Sequence, residues 1–403
     1  MPTLLQINSF NIGSTGKIAE QIGSLAIKQG WNSYFAFPRG FNKSNSEIIR
    51  IGGRMNMFWH GFESRIFDNQ GLASRLATKK IVNQIVKISP DIIHLHNLHG
   101  YYLNYKILFE FLKEYNHPIV WTLHDCWPMT GHCCYFTMAN CSKWKTQCTN
   151  CPLKKDYPKS FLFDRSKQNY IDKKNAFTGI KNIHIVSVSN WLNEIVKDSF
   201  LGYANLHTIR NGIDIETFKP QISNNLRLKN SINNKIILLG VASRWEPRKG
   251  FNDYIELRKL LNDDYIIVLI GLDDKIIKSL PKGIIGIKRT ENQQQLAQWY
   301  SEANIVLNLS YQETFGLTTI EGFACGTPSI VYNTTASPEL ISEDTGVIVK
   351  PGDINQLYAA IKKITINPLK SEDCRKRAVD LYDKDIAFRE YLNLYNMILA
   401  SKR

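Results

Sequence analysis

No window of the 403-residue chain approaches the roughly 18 consecutive apolar residues that would mark a membrane span. Met1 to Phe10 is a short apolar run without a basic leader or cleavage site, so no signal peptide is read and the chain is expected to stay in the cytosol. There is no internal repeat of fixed short period. A basic stripe interleaved with stacking aromatics is also missing, which argues against a nucleic-acid partner. Acidic residues are scarce in one half: residues 1–200 hold 24 Lys and Arg against 13 Asp and Glu, so +11 of the net +14 lies there. Such an excess suits an anionic partner (a membrane surface, a phosphorylated lipid or a nucleic acid) or simply a soluble basic surface.

What is present is globular. Apolar residues make up 43% and charged residues 21%, and the length suffices for two α/β domains, each with its own core. Strand-like and helix-like segments alternate almost throughout, which indicates largely parallel sheets. Leu4 to Ile7 reads as the first strand, Asn11 to Gly16 as a loop, and about Lys17 to Gln29 as a helix. Asp91 to His96, Ile119 to His124 and Ile183 to Val188 follow as short apolar strands rich in β-branched residues. A second set runs through Ile236 to Val241, Tyr265 to Ile270, Ile284 to Ile287, Ile305 to Leu309 and Pro328 to Tyr332. The expected organisation is a Rossmann-like domain over 1–210 with a Cys-rich insert near 126–152, a polar linker over 211–234, and a second domain over 235–380. A C-terminal helix over 381–403 is expected to pack back on the first domain. In doubly wound sheets ligands bind outside the carboxyl ends of the strands, so chemistry is expected in a cleft between the two domains.

Two segments of the second half carry chemistry. Ser243-Arg244-Trp245-Glu246-Pro247-Arg248-Lys249-Gly250 follows a strand directly, and its cations suit an anion such as a diphosphate. Glu313-Thr314-Phe315-Gly316-Leu317-Thr318-Thr319-Ile320-Glu321 sets two carboxylates eight positions apart around a Gly. If Leu317 opens a helix, the first amides point at an anion and Glu321 lies about one turn in, near enough for ribose hydroxyls. Each segment alone also reads as solvated surface.

Together, about 65 residues apart in one α/β domain, they resemble the family-4 glycosyltransferases of GT-B fold. The resemblance spans essentially the whole chain, including Gly13–Gly16, His124 and Asn211-Gly212-Ile213-Asp214. It implies a nucleotide-diphosphate sugar as donor, its diphosphate held by Arg244 and Lys249. Glu313 and Glu321 match the family's paired glutamates, and His124 matches the histidine that faces the donor sugar. Gly13, Gly16, Phe315, Gly316, Leu317 and Thr318 are expected to border the donor. The implied reaction is a retaining, metal-independent hexosyl transfer to a glycan acceptor, lipid-linked, in bacterial surface polysaccharide synthesis. The other readings are a soluble acceptor or a nucleotide-sugar epimerase.

Fixed cations and amides would stabilise charge growing on the leaving phosphate, as a metal does in the other major transferase fold. That fold needs Asp-x-Asp at a strand end, and the only match is Asp383-Lys384-Asp385, in a stretch that reads as surface helix. No carboxylate is clearly placed as a covalent nucleophile, so double displacement is unsupported. Gly13-x-x-Gly16 lacks the third Gly of a dinucleotide fingerprint, and no acidic residue follows at the right distance. His94, His96 and His99 lie near a strand end as further candidates for acceptor contact.

Six of the eight cysteines fall between Cys126 and Cys151. Cys133, Cys141, Cys148 and Cys151 can complete a tetrahedral thiolate site, and a structural zinc is expected there; packing cysteines or a redox pair are the other readings. The cluster resembles a motif in some polysaccharide-building members of the family. Met55, Phe58, Trp59, Phe62 and Ile66 recur at helical spacing beside Arg54, Arg65 and Arg75. They form either a core-facing stripe or a shallow helix docking on an anionic membrane, which would hold the enzyme peripherally on the inner membrane's cytoplasmic face.

Overall fold

The computed structural model describes residues 1–40, 43–115, 117–221, 224–230, 232 and 234–401. The chain forms two compact units, Met1–Arg210 with Phe388–Arg403, and Asn211–Ala387.

The first unit is built on β1 (Thr3–Ile7), β2 (Asn32–Phe37), β3 (Glu47–Arg50), β4 (Ile92–Leu95), β5 (Ile119–Leu123), β6 (Ile183–Ser187) and β7 (Asn205–Thr208). They form one parallel sheet in the order β3-β2-β1-β4-β5-β6-β7. β4 and β5 are buried at every position, as central strands covered on both faces must be. β2, β3 and β7 are absent from the sequence reading; β3 and β7 are the edges, β3 mostly exposed and β7 mostly half-buried. The first helix is Gly13–Lys28, so it starts four residues before the expected Lys17. Gly13 and Gly16 therefore form its first turn rather than a loop. A Cβ on Gly16 would stand 2.5 Å from the Asn11 backbone carbon, which requires glycine where the helix turns back on the strand exit.

The second unit contains β8 (Ile236–Val241), β9 (Tyr265–Ile270), β10 (Ile284–Ile287), β11 (Ile305–Asn308), β12 (Ser329–Tyr332) and β13 (Gly346–Val349), again all parallel, in the order β10-β9-β8-β11-β12-β13. Leu238, Ile267, Leu269, Leu307, Ile330 and Tyr332 form its core. The order reverses between β8 and β11, the position at which such sheets open a crevice beyond their carboxyl ends.

Residues 211–234, expected as a linker, belong to this second unit as far as they are described; 222, 223, 231 and 233 lie outside the described residues. Ile213 donates its amide to Tyr382 O at 2.8 Å and accepts from Lys384 N at 2.9 Å, while Asn224–Lys229 is helical. The C-terminal stretch is two helices, Ser371–Tyr382 and Lys384–Ala400. The Asp-x-Asp match sits at their junction, where Asp383 bridges to Ile213 and Lys384 pairs with Asp214 at 2.7 Å. Within the first unit, Tyr395 Oη lies 2.6 Å from His94 Nδ1 and Thr122 Oγ1 donates to Tyr391 Oη at 3.2 Å, so the end of the last helix closes on β4 and β5.

Candidate active site

Two loops leave the switch point of the second unit. After β8 the chain passes Arg244 and enters a short 3-10 turn, Pro247–Lys249, ended by Gly250 at φ +67°. A Cβ there would lie 2.1 Å from Leu309 O, so only glycine lets this loop close on the exit of β11. Tyr311 N donates to Arg248 O at 2.8 Å, and Arg248 Nη1 donates to Gln312 O at 3.2 Å, lacing the two loops together. This closure brings Lys249 to Glu313: the Lys249 ammonium donates to Glu313 Oε1, which also accepts from Ser310 Oγ at 2.9 Å. The Glu313 amide is held by Thr335 Oγ1 at 2.9 Å. Burial opposes ionisation of Glu313, but Lys249 and then Arg248 outweigh it and hold the carboxyl below its ordinary range. Arg244 is exposed and makes no ion pair among the described residues. One cation is thus fixed by a carboxylate while the other is free to meet an anion.

Gly316, at φ +108°, turns the second loop into the helix Leu317–Ala324. The opening amides of a helix have no intrahelical acceptor and offer partial positive charge. Leu317 and Thr318 are half-buried in that first turn. Glu321 lies one turn on, its Oε2 accepting from Tyr300 Oη at 2.8 Å, which orients the carboxylate. The Phe315 side chain is buried against Tyr382, ring centroids 6.0 Å apart.

In the first unit, His124 stands directly after β5 with its Nε2 3.3 Å from His96 Nδ1. Burial lowers its pKa to about 4, so the imidazole is neutral near pH 7. His96 continues to Gln6 Oε1 at 3.1 Å, and His94 is held by Thr122 Oγ1 at 2.7 Å and by Tyr395. His94 and His96 are thus parts of a buried polar network. His99 Nε2 meets Asp125 Oδ2 at 2.7 Å and its Nδ1 meets Tyr157 Oη at 3.0 Å. Sequence reasoning missed Asp125, which also caps the turn by accepting from Trp127 N at 2.9 Å. A pocket at the ends of β4 and β5 is lined by His96, Asn97, His99, His124, Asp125 and Trp127.

The insert follows β5 as short turns. Among the described residues, one trio of potential ligand atoms lies mutually within 4.8 Å: those of His99, Asp125 and Cys134. Both His99 nitrogens are already in hydrogen bonds. Cys133, Cys141, Cys148 and Cys151 line one common pocket together with His132. Elsewhere on this unit the helix Arg54–Phe67 buries only His60, Gly61 and Ser64. Met55, Phe58, Trp59 and Phe62 are 46–68% exposed, so they form an outward apolar face and not a core stripe.

Residues 21–217 match the family model described as Glycosyltransferase Family 4, and residues 223–380 match Glycosyl transferases group 1. The chain is 23% identical over 434 residues to the putative colanic acid biosynthesis glycosyl transferase WcaC of Escherichia coli K12, covering 97% of this chain and 99% of that one. It is 24% identical to the capsular polysaccharide biosynthesis glycosyltransferase CapM of Staphylococcus aureus, over 53% of this chain and 62% of that one. Its fold is similar to sucrose-phosphate synthase from Thermosynechococcus elongatus, with a TM-score of 0.73, 17% identity and full coverage of both chains. It is also similar to Anabaena HepE in complex with UDP-glucose, with a TM-score of 0.70, 13% identity and coverage of 98% and 99%.

Proposed function

The chain belongs to the family-4 glycosyltransferases of GT-B fold, and on that premise we propose that it transfers a hexosyl group from a nucleotide-diphosphate sugar to a lipid-linked glycan acceptor, with retention and without a catalytic metal, in building a bacterial surface polysaccharide. The observation that carries this reading is the pairing of Lys249 with Glu313 beside the unpaired Arg244, at the β8/β11 switch point. When the bond between the sugar's anomeric carbon and the diphosphate breaks, its electron pair leaves with the phosphate. Arg244 and Lys249 are placed to neutralise that growing charge, assisted by the amides opening Leu317–Ala324. The acceptor oxygen then bonds to the same face of the anomeric carbon, and its proton passes to the departing phosphate. Glu321, fixed by Tyr300, suits the ribose hydroxyls, and the neutral His124 suits a sugar hydroxyl.

The names of the colanic and capsular relatives favour polysaccharide assembly, and the HepE complex favours a UDP-sugar. A lipid-linked acceptor is favoured by the outward face of Met55, Phe58, Trp59 and Phe62, which is accompanied by exposed Arg54, Arg65, Arg75, Lys79 and Lys80. An apolar face with a basic border fits an anionic bilayer surface.

The test is to incubate the protein in EDTA with radiolabelled UDP- and GDP-hexoses and lipid-diphosphate-linked saccharides, then to determine the product anomer by NMR. Label transferred with retention supports the reading. Inversion, a strict Mg or Mn requirement, or donor conversion without acceptor (an epimerase) overturns it.

A further inference from the structure

The insert places a histidine where the cysteine pattern alone suggested only thiolates. His132 precedes the Cys133-Cys134 pair and is 98% buried. Its Nδ1 lies 2.7 Å from Asp68 Oδ1, a carboxylate equally buried. Asp68 is fixed in turn. Its Oδ2 accepts from Arg165 N at 2.9 Å, and its carbonyl accepts from Asn169 Nδ2 at 2.8 Å. In the neutral imidazole this carboxylate holds the proton on Nδ1 and leaves the lone pair on Nε2. That Nε2 is buried and has no hydrogen-bond partner among the described residues. A buried nitrogen without a partner is costly and calls for an explanation.

The pocket it shares holds four sulfurs, those of Cys133, Cys141, Cys148 and Cys151. Cys133 and Cys151 are the sulfurs that influence each other most directly, each changing the other's acidity. Gly131, the residue before His132, lies so close to Cys148 that a Cβ on it would stand 2.8 Å from the Cys148 Cβ. Behind the pocket, the Lys173 ammonium donates to Trp127 O at 2.8 Å and Thr130 O at 3.0 Å.

We propose that the insert binds one zinc ion through His132 Nε2 and the thiolates of Cys133, Cys148 and Cys151, with Asp68 as the carboxylate that orients the histidine. Zinc favours a closed tetrahedral set of sulfur and imidazole ligands at structural sites, and a histidine ligand characteristically donates its other ring N–H to a carboxylate. The Asp68–His132 pair already has that second arrangement. The ligand atoms are adjacent but not converged, since none of these groups forms a trio within 4.8 Å among the described residues. Tetrahedral Zn–S bonds of about 2.3 Å draw sulfurs to ~3.8 Å of one another, so metal binding tightens the turns of the insert. Cys141 stays beside the set as the competing fourth ligand. The site is independent of sugar transfer: loss of one reading leaves the other standing.

The experiment is zinc K-edge X-ray absorption on the full-length protein, purified with reductant and without chelator, together with metal analysis. The expected result is about one zinc per chain, with roughly three sulfurs at 2.3 Å, one nitrogen at 2.0 Å and imidazole scattering beyond the first shell. Four sulfurs without imidazole would assign the fourth position to Cys141 and overturn the role of His132. No bound zinc would overturn the site. Asp68→Asn, read by competition with a chromophoric chelator, should weaken zinc retention by about 10–100-fold; unchanged retention contradicts the orienting role of Asp68. The wild-type spectrum decides the ligand set even if variants fold poorly.

Discussion

Lys249 and Glu313, 64 positions apart, form an ion pair because β8 and β11 are neighbours in the sheet and their exit loops are laced together. The pair fixes the ammonium of Lys249 at the switch point, and on the proposed mechanism it acts on a charge that appears only as the donor bond breaks. Such a group contributes chiefly to kcat. Lys249→Ala should lower turnover by about 10²–10³-fold. It also leaves a mostly buried carboxylate without its partner, so the variant should unfold more easily than wild type. Adding Glu313→Gln should recover part of that stability but no activity. Urea unfolding and turnover of the two single variants and the double variant check this; full additivity in stability contradicts the coupling.

Acid should destabilise the protein through its buried histidines. Burial lowers His60 and His124 from 6.5 to about 4, and pushes His94 and His96 well down. Between pH 6.5 and about 4 the unfolded chain binds protons that the folded chain refuses, so stability falls as pH falls through that window. Each of His60 and His124 contributes up to roughly 3 kcal/mol by its lower end. Unfolding free energy measured across pH 4–7 checks the sign; a flat profile contradicts it.

The exposed face of Arg54–Phe67 should bind anionic vesicles. Each basic residue near such a surface contributes about 1 kcal/mol, screened by salt. The protein is therefore expected to co-sediment with phosphatidylglycerol liposomes at low salt and detach at high salt. Replacing Phe58, Trp59 and Phe62 with Ser should weaken binding without unfolding, because all three are about half exposed or more. Indifference to these liposomes at low salt would point to a soluble acceptor.

Brief chelation that leaves the fold intact should leave transfer intact if, as proposed, Arg244 and Lys249 act on the diphosphate directly. Transfer assayed before and after EDTA treatment, with circular dichroism as the fold control, checks this. Activity that returns only with added Mg or Mn contradicts it.

Much of this was legible in the chain itself. Ile236–Val241 and Tyr265–Ile270 have the boundaries their apolar runs indicate, because inner parallel strands are covered on both faces, and the edge strand Ile284–Ile287 also matches its apolar run. β3 and β7 were not legible, because Glu47–Arg50 and Asn205–Thr208 are four-residue strands with polar residues at half or more of their positions. Arg244, Lys249, Glu313 and Glu321 stood out by spacing, but the Lys249–Glu313 contact did not, since it depends on strand order. The first helix was read too short because Gly13 and Gly16 look like a turn, whereas glycine is tolerated in a first turn that packs tightly. His132 was missed for a similar reason. Its partner Asp68 is 64 positions upstream, and the only local signal was its place directly before a cysteine pair.

The central claim is that side-chain cations take up the charge of a leaving nucleoside diphosphate. Its most direct test is the single-turnover rate of hexosyl transfer, measured in EDTA on the radiolabelled donor and lipid-linked acceptor that wild type uses, for wild type and for Arg244→Ala. The exposed Arg244 can be removed without disturbing the fold, so the comparison reports on chemistry. The account predicts a loss of about 10²-fold or more in rate, with the melting temperature unchanged. A wild-type rate in Arg244→Ala would contradict it.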